Sequence, residues 1–232
     1  MGSAAASHTV ALMRRLIAEK GGIRMVFAAA PSQNEFLASL CQELDLDWSR
    51  VTAFHMDEYV GLPQHHHARF VNYRNQHLFD VVSPGTIHRM QPSQNPEEEC
   101  IRYAQLITAD AIDMVCLGIG ENGHIAFNDP GVADFHDPKT VKLVPLDEAC
   151  RNQQVHDECF PDLASVPTVA MTLTIPTLMS AHHMVCVVPG AMKREAVHNT
   201  LNEPITQNCP ASILRTHSDC VLFVDSAAYG VN

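Results

Sequence analysis

The chain has 232 residues, of which 46% are hydrophobic and 18% are charged. This length and composition suit an α/β domain with a sizeable core and exclude a chain that is mainly disordered. The formal net charge of −11 would repel phosphate backbones and anionic lipid surfaces, so neither a nucleic acid nor a membrane is expected as a partner.

Short apolar runs alternate with segments of helical periodicity along the chain. The runs predict strands at residues 25–30, 51–56, 112–117, 141–144, 168–173, 184–188 and 221–224. The periodic segments predict helices at residues 10–17, 35–44, 66–79 and 97–108 and from Ala191 onwards, with loops at 91–96 and 131–138. This alternation favours an α/β fold, a doubly wound, mostly parallel sheet with helices on both faces, in one Rossmann-like domain over residues 1–232.

The cysteines and the first residues indicate the compartment. The eight cysteines are scattered without a C-x-x-C pair, and we interpret them as reduced thiols that mostly fill the core. Residues 1–7 lack the basic start and apolar run of a signal peptide, and no segment approaches the roughly 18 apolar residues of a membrane span. A cytoplasmic protein is therefore expected.

The first chemically interesting segment, residues 55–63, directly follows a predicted strand. Ligands bind outside the carboxyl ends of the strands in such sheets, so polar residues at these positions are candidates for a site. Asp57 and Glu58 are adjacent carboxylates there. Two readings stay open from these residues alone: the pair begins a turn, or it supplies an acid–base group.

A glycine-rich segment, residues 118–130, follows the predicted strand at 112–117. Gly120 and Gly123 let the backbone approach a ligand closely, and both are predicted to bind substrate. His124 adds a side chain that titrates near neutrality. The glycine spacing also suits dinucleotide binding, but no helical pattern follows at once, so this alternative is rejected.

A possible support for His124 lies in the same segment. The spacing from His124 to Asp129 permits an imidazole that is oriented by a carboxylate, and Asn122 adds a neutral hydrogen-bonding group nearby. A purely structural histidine is the alternative.

Lys193 follows the predicted strand at 184–188, where a helix begins. A cation in the first turn is unfavourable for the helix dipole, which suggests an anionic ligand. A lysine on the surface is the alternative.

Two of these segments match a known family. The stretches MDEYVGLP at 56–63 and GIGENGHIAFNDP at 118–130 resemble the signature segments of the glucosamine-6-phosphate deaminase (isomerase) family, which includes the related 6-phosphogluconolactonases. Residues 166–174 and 190–193 also match, so the resemblance covers nearly the whole chain. It implies a fold of the sugar-phosphate isomerase type and no metal or organic cofactor.

The resemblance also implies a reaction. The pyranose ring of an amino-sugar phosphate opens, a proton moves from C2 to C1 through an enolamine, and the ketimine hydrolyses to a ketose phosphate and ammonia. By matching position, Asp57 is the base of the proton transfer, and His124, supported by Asp129 and Asn122, opens the ring. A fixed carboxylate and an imidazole suit these two tasks. Glucosamine 6-phosphate would yield fructose 6-phosphate in N-acetylglucosamine catabolism.

The phosphate site departs from the family pattern. Where relatives have a Gly-Ser-Thr-like turn after the first strand, this chain offers a hydroxyl only at Ser32, and Gln154 stands where relatives have a phosphate-binding Arg. Arg69 replaces a small polar residue. We predict that Arg69, Lys193 and Ser32 form the anion site, with Arg69 on an exposed helix face as the alternative. Many relatives also carry Glu in place of Asp129.

Two other functions remain as hypotheses. One is a 6-phosphogluconolactonase-type hydrolase, which is disfavoured because Tyr59 stands where lactonases usually have Arg. The other is a non-catalytic sugar-phosphate-binding homologue. The end of the chain soon after its last strand suggests a form without the allosteric control of the longer, hexameric relatives. A monomer, a homo-oligomer, and gluco- or galacto-configured substrates all stay open, and the loop histidines 65–67 are not expected to bind a metal.

Overall fold

The structure is a computed structural model that describes residues 1–92 and 95–231. Its strands are, in chain order, β1 (Ile23–Phe27), β2 (Val51–His55), β3 (Asp57–Tyr59), β4 (Thr86–His88), β5 (Met114–Leu117), β6 (Val141–Pro145), β7 (Val169–Leu173), β8 (His183–Val188) and β9 (Cys220–Val224). Its α-helices are α1 (Gly2–Lys20), α2 (Asn34–Cys41), α3 (Phe70–Arg74), α4 (Asp80–Val82), α5 (Pro96–Ile107), α6 (Glu148–His156), α7 (Ile175–Met179), α8 (Arg194–Asn202) and α9 (Ser226–Tyr229). Part of the predicted loop at 91–96 lies outside the described residues.

Six strands form one parallel sheet in the order β4-β2-β1-β5-β8-β9. Both faces of this sheet are covered. In β1, the side chain of Val26 packs into one core cluster, whereas Met25 and Phe27 pack into another cluster with residues of α1 and α2. Because neighbouring side chains of a strand point to opposite faces, a continuous apolar run is what such a strand needs. The predicted doubly wound sheet is confirmed.

A second, smaller sheet corrects one part of the prediction. The strands predicted at 141–144 and 168–173 do form, but they pair antiparallel to each other and, through β7, to β3. They therefore lie outside the parallel sheet. Asp57–Tyr59 was not predicted as a strand, because three residues that begin with two carboxylates carry no apolar pattern.

The helix predicted at 66–79 begins later and is not regular. The Glu58 carboxylate accepts hydrogen bonds from the backbone N–H groups of Phe70 at 3.1 Å and Val71 at 2.9 Å. These bonds satisfy free N–H groups of the first turn, so the helix begins at Phe70. α3 continues through a π-helical turn, Asn75–Phe79, into α4. Arg74 thus lies at the end of α3, facing the core with no exposed surface.

None of the described helices is long and apolar enough to cross a membrane.

Candidate active site

A cavity opens at the carboxyl edge of the parallel sheet. Its walls come from the segments that follow β1, β2, β5 and β8, together with α6. With its open mouth it measures about 510 Å³. The predicted site residues that line it are Ser32, Asp57, Gly120, His124 and Lys193.

Asp57 lies in one wall of the cavity and is held by Arg74. The side chain of Arg74 donates a hydrogen bond from Nη2 to Asp57 Oδ1 at 2.9 Å and one from Nε to the carbonyl oxygen of Phe27 at 2.8 Å. No described residue donates a hydrogen bond to Asp57 Oδ2. Asp57 is 6% exposed, and burial raises the pKa of its carboxyl, against the opposing charges of Arg74 and His124. The carboxylate is fixed through one oxygen and free to accept a proton through the other.

His124 lies in another wall of the cavity, and neighbouring side chains bind its Nδ1 atom. Its Nδ1 is 2.8 Å from Asp129 Oδ1 and 2.8 Å from Asn122 Oδ1. Asn122 also donates from Nδ2 to Asp129 Oδ1 at 2.9 Å. Since both neighbours of Nδ1 are acceptors, Nδ1 carries the hydrogen in the neutral ring, which leaves Nε2 as the basic nitrogen. Nε2 makes no hydrogen bond to a described residue.

Asp129 does not line the cavity but supports His124 directly. Burial alone would raise the pKa of the Asp129 carboxyl, but the charge of His124 and the hydrogen bonds from His124 and Asn122 outweigh it and lower the pKa. The carboxylate thus stays ionised in the neutral range. The aspartate reaches the imidazole without the extra methylene of the glutamate that many relatives carry.

The two glycines predicted to bind substrate have different positions. A Cβ atom at Gly120 would lie 2.1 Å from His124 Cε1, so only glycine leaves space for the imidazole beside the loop. Gly123 has φ +84°, and a Cβ atom there would lie 2.9 Å from Cys209 Sγ. Gly120 lines the cavity, and Gly123 is not among the residues that line it.

The cavity wall also carries polar side chains that suit an anion. Gln33 donates from Nε2 to Ser32 Oγ at 3.3 Å, which leaves the Ser32 hydroxyl hydrogen for a ligand. Lys193 is 6% exposed and forms no ion pair with a described residue. Burial lowers the pKa of Lys193, opposed mainly by the charge of Asp157. Gln154 is also in the wall, with Oε1 accepting from the Tyr59 hydroxyl at 2.6 Å.

Arg69 is not part of this cavity, contrary to the predicted anion site. It immediately precedes α3 and points to the other side of β3, where its Nε lies 3.8 Å from Glu58 Oε2. The alternative that Arg69 is exposed on a helix is also wrong, since the residue is only 8% exposed.

One group of side chains has the elements of a metal site. His124, Asp129 and Cys150 each offer one ligand atom, and these three atoms lie within 4.8 Å of one another. All three residues are buried. Burial raises the pKa of the Cys150 thiol, and the negative charge of Asp129 raises it further. Within this group, His124 and Asp129 form a hydrogen-bonded pair through Nδ1 and Oδ1 at 2.8 Å.

Sequence reasoning missed Arg74, the residue that fixes Asp57. A single arginine within an amphipathic segment carries no sequence signal, because such residues usually lie on the solvated face of a helix. Only its complete burial reveals its role. Gln33, in the turn after β1, was also missed, because a single amide side chain carries no sequence signal and only its burial reveals it.

Comparison with known proteins gives a consistent family. Residues 1–223 match the family described as glucosamine-6-phosphate isomerases/6-phosphogluconolactonase. The chain is 38% identical to a glucosamine-6-phosphate deaminase of Exiguobacterium sibiricum over 79% of this chain and 71% of that protein. It is 33% identical to a glucosamine-6-phosphate deaminase of Lysinibacillus sphaericus over 88% of this chain and 90% of that protein.

Solved structures show the same fold. A monomeric glucosamine-6-phosphate deaminase superposes with a TM-score of 0.90 and 29% identity over 100% of this chain and 95% of its own. A 6-phosphogluconolactonase from Thermotoga maritima gives a TM-score of 0.76 with 21% identity over 94% and 92% of the two chains. The second likeness concerns the fold alone.

Proposed function

Because the chain belongs to the family of glucosamine-6-phosphate isomerases and 6-phosphogluconolactonases, we propose that it is an enzyme that converts glucosamine 6-phosphate into fructose 6-phosphate and ammonia. One observation carries the proposal. Asp57, with a free carboxylate oxygen, and His124, with a free ring nitrogen, line the same cavity as the unpaired cation of Lys193. A base, a neutral-range proton carrier and an anion site are what this reaction needs.

In the first step, His124 opens the pyranose ring. Its Nε2 takes the proton of the C1 hydroxyl and returns a proton to the ring oxygen as the C1–O5 bond breaks. The imidazolium that forms is stabilised by the ionised Asp129 at 2.8 Å from Nδ1. Asn122 keeps the ring in the orientation that leaves Nε2 toward the substrate.

In the second step, Asp57 moves a proton between neighbouring carbons. Its Oδ2 takes the hydrogen from C2, which gives an enolamine, and then returns it to C1. The ketimine left at C2 adds water and releases ammonia. Burial raises the pKa of the Asp57 carboxyl, and a less acidic carboxylate is a better base for a C–H bond. Arg74 keeps the carboxylate aimed and ionised.

The phosphate group would bind to other residues of the same cavity. Lys193 and the Ser32 hydroxyl are the groups that we assign to it, and the Gln154 side chain also lines the cavity. Because Gln154 stands where relatives have a phosphate-binding arginine, Lys193 is the one cation assigned to the phosphate, and phosphate binding depends strongly on it.

Ammonia release is the direct test. The purified protein, given glucosamine 6-phosphate and galactosamine 6-phosphate in separate assays, is expected to release ammonia from at least one, and Asp57→Asn is expected to abolish it. Because the two substrates differ only at C4, comparing their rates of ammonia release shows which C4 configuration the enzyme accepts. Hydrolysis of 6-phosphogluconolactone without ammonia release would instead assign the hydrolase activity of the lactonase relatives. Binding without either reaction would assign a non-catalytic sugar-phosphate-binding protein.

We extend the proposal to the setting of the reaction. The residues that line the cavity come from distant parts of the chain, between Ser32 and Lys193, which supports one catalytic domain over residues 1–232. All eight cysteines are free thiols, which supports a reducing, cytoplasmic compartment. The product pair of a ketose phosphate and ammonia supports a place in the breakdown of amino sugars, including N-acetylglucosamine.

A further inference from the structure

A second cavity lies on the other side of β3 from the candidate active site. With its mouth it measures about 920 Å³, compared with about 510 Å³ for the first cavity measured in the same way. Its polar lining consists largely of two arginines and four amide side chains: Arg69, Arg89, Gln64, Asn72, Asn75 and Gln91. Tyr59 is in its wall, and the hydroxyl of that residue binds Gln154 of the first cavity, so the two cavities share a partition.

Arg69 is a buried cation whose charge is only weakly engaged by the protein. Its closest carboxylate oxygen, Glu58 Oε2, is 3.8 Å from Nε, beyond hydrogen-bond distance. The only hydrogen bond of the guanidinium to a described residue is a long one of 3.4 Å, from Nη1 to the carbonyl oxygen of Gln64. A side chain that is 8% exposed normally has closer partners.

Glu58 forms only a long ion pair with Arg69, because backbone groups hold its carboxylate in place. Its carboxylate accepts backbone hydrogen bonds from Tyr59, Phe70 and Val71 at 2.9–3.1 Å. These bonds hold the carboxylate at the start of α3. The guanidinium of Arg69 is therefore left to face the cavity.

The lining of the second cavity carries positively charged side chains, although the chain has a formal net charge of −11. Its described lining residues include two arginines and no carboxylate. Arg89 binds only a neutral group on this side, the Asn75 Oδ1 oxygen at 3.1 Å. The buried His55 reports the same field: burial lowers the pKa of its imidazole, and the charges of Arg74, Arg89 and Arg69 lower it further.

We propose that this second cavity binds the phosphate group of a small phosphomonoester, at a site separate from the catalytic cavity. Two guanidinium groups supply charge-assisted hydrogen bonds to phosphate oxygens. The surrounding amides of Gln64, Asn72 and Asn75 offer donors and acceptors for hydroxyl groups, as a sugar phosphate requires. Asp57 and Glu58 are consecutive residues of the shared partition, so a ligand here would lie next to the strand that carries the catalytic base.

Phosphate binding can be measured with the catalytic cavity weakened. In the full-length Lys193→Met protein, titration calorimetry with inorganic phosphate and, separately, with glucose 6-phosphate is expected to show saturable binding. Adding Arg89→Gln is expected to weaken binding about tenfold or more, since a charge-assisted hydrogen bond is removed. Arg50→Gln is the matched control: this exposed arginine pairs with Asp47, does not line the cavity and should leave the affinity unchanged.

The variants distinguish the outcomes. Arg89 is only partly buried, so Arg89→Gln is expected to leave the fold intact, which circular dichroism checks. Tighter binding of glucose 6-phosphate than of inorganic phosphate identifies a sugar phosphate as the ligand, whereas equal affinity identifies phosphate itself. Binding that is absent from Lys193→Met, or that Arg89→Gln leaves unchanged, overturns the proposal. Because no turnover is measured, failure of the proposed reaction would not affect this result.

Discussion

The two walls of the candidate active site each hold a buried carboxylate beside a positively charged or chargeable partner, yet they set the two pKa values in opposite directions. In the β3 wall, burial dominates over Arg74, and the pKa of Asp57 is raised. In the glycine-rich loop after β5, His124 and Asn122 dominate over burial, and the pKa of Asp129 is lowered. Such divergent environments are a common way for one site to assign different tasks to similar groups.

The two pKa values differ in direction because the two carboxylates accept different numbers of side-chain hydrogen bonds. Asp129 Oδ1 lies at 2.8–2.9 Å from both His124 and Asn122, so its charge is used inside the protein. The carboxylate of Asp57 accepts one side-chain hydrogen bond, from Arg74, and Asp57 lines the cavity, whereas Asp129 does not. Asp57 is therefore suited to exchange a proton with a ligand, and Asp129 to remain charged.

Asp57→Asn should have the largest effect, because the amide cannot accept the C2 proton. We expect ammonia release from glucosamine 6-phosphate to fall on the order of 10³-fold. The assay is steady-state ammonia production by purified protein, with circular dichroism as the check that the fold is retained. Activity within tenfold of the unmodified enzyme would mean that Asp57 is not the base.

Asp129→Asn should have a smaller effect, on the order of 10²-fold in kcat, because His124 remains but loses the charge that stabilises its imidazolium. Steady-state kinetics at several pH values test this. A loss equal to that of Asp57→Asn would remove the distinction between the two carboxylates.

Arg74→Met should change the pH profile. Arg74 opposes the effect of burial on Asp57, so its removal raises the pKa of the base further. The base must be ionised to work, and activity is lost as the pH falls through its pKa. The acid limb of kcat/KM should therefore move to higher pH, which a pH–rate profile measures.

Arg74→Lys is the control for this shift, because it keeps the charge while losing the two-nitrogen geometry. It should reduce kcat with a smaller displacement of the acid limb. An unchanged acid limb in Arg74→Met would show that Arg74 does not set the ionisation of Asp57.

Lys193→Met should have the smallest effect on the chemical step. Lys193 binds a phosphate that does not change in the reaction, so KM should rise about tenfold or more while kcat changes little. The neighbouring Arg194 is exposed and does not line the cavity, which makes Arg194→Met the matched control. A large fall in kcat with constant KM would place Lys193 in the chemistry instead.

Much of the fold could be predicted from the sequence, because buried parallel strands are short, continuous apolar runs. The runs at 51–56 and 184–188 correspond to β2 and β8 with small shifts in their ends. The pairing of β6 and β7 could not be predicted, since a run of apolar residues does not specify its partner or direction. Their partner β3 is only three residues long.

Some residues of the candidate site could likewise be predicted from the sequence, and others could not. Asp57 and His124 could be found because each follows a strand within a recognisable motif. Arg69 and Arg74 could not be distinguished, because their positions depend on where the helix begins. The hydrogen bonds to Glu58 make the helix begin at Phe70. As a result, Arg74 lies beside Asp57, and Arg69 lies beside Glu58 in the lining of the second cavity.

Transfer of deuterium within the substrate tests most directly whether Asp57 moves the proton. Glucosamine 6-phosphate labelled with deuterium at C2 is converted, and the label at C1 of the fructose 6-phosphate is measured by mass spectrometry. Since Asp57 is 6% exposed, it should return part of the label before exchange with water, and the Asp57→Asn protein should transfer none. Transfer by Asp57→Asn at a rate close to that of the unmodified enzyme would contradict the account.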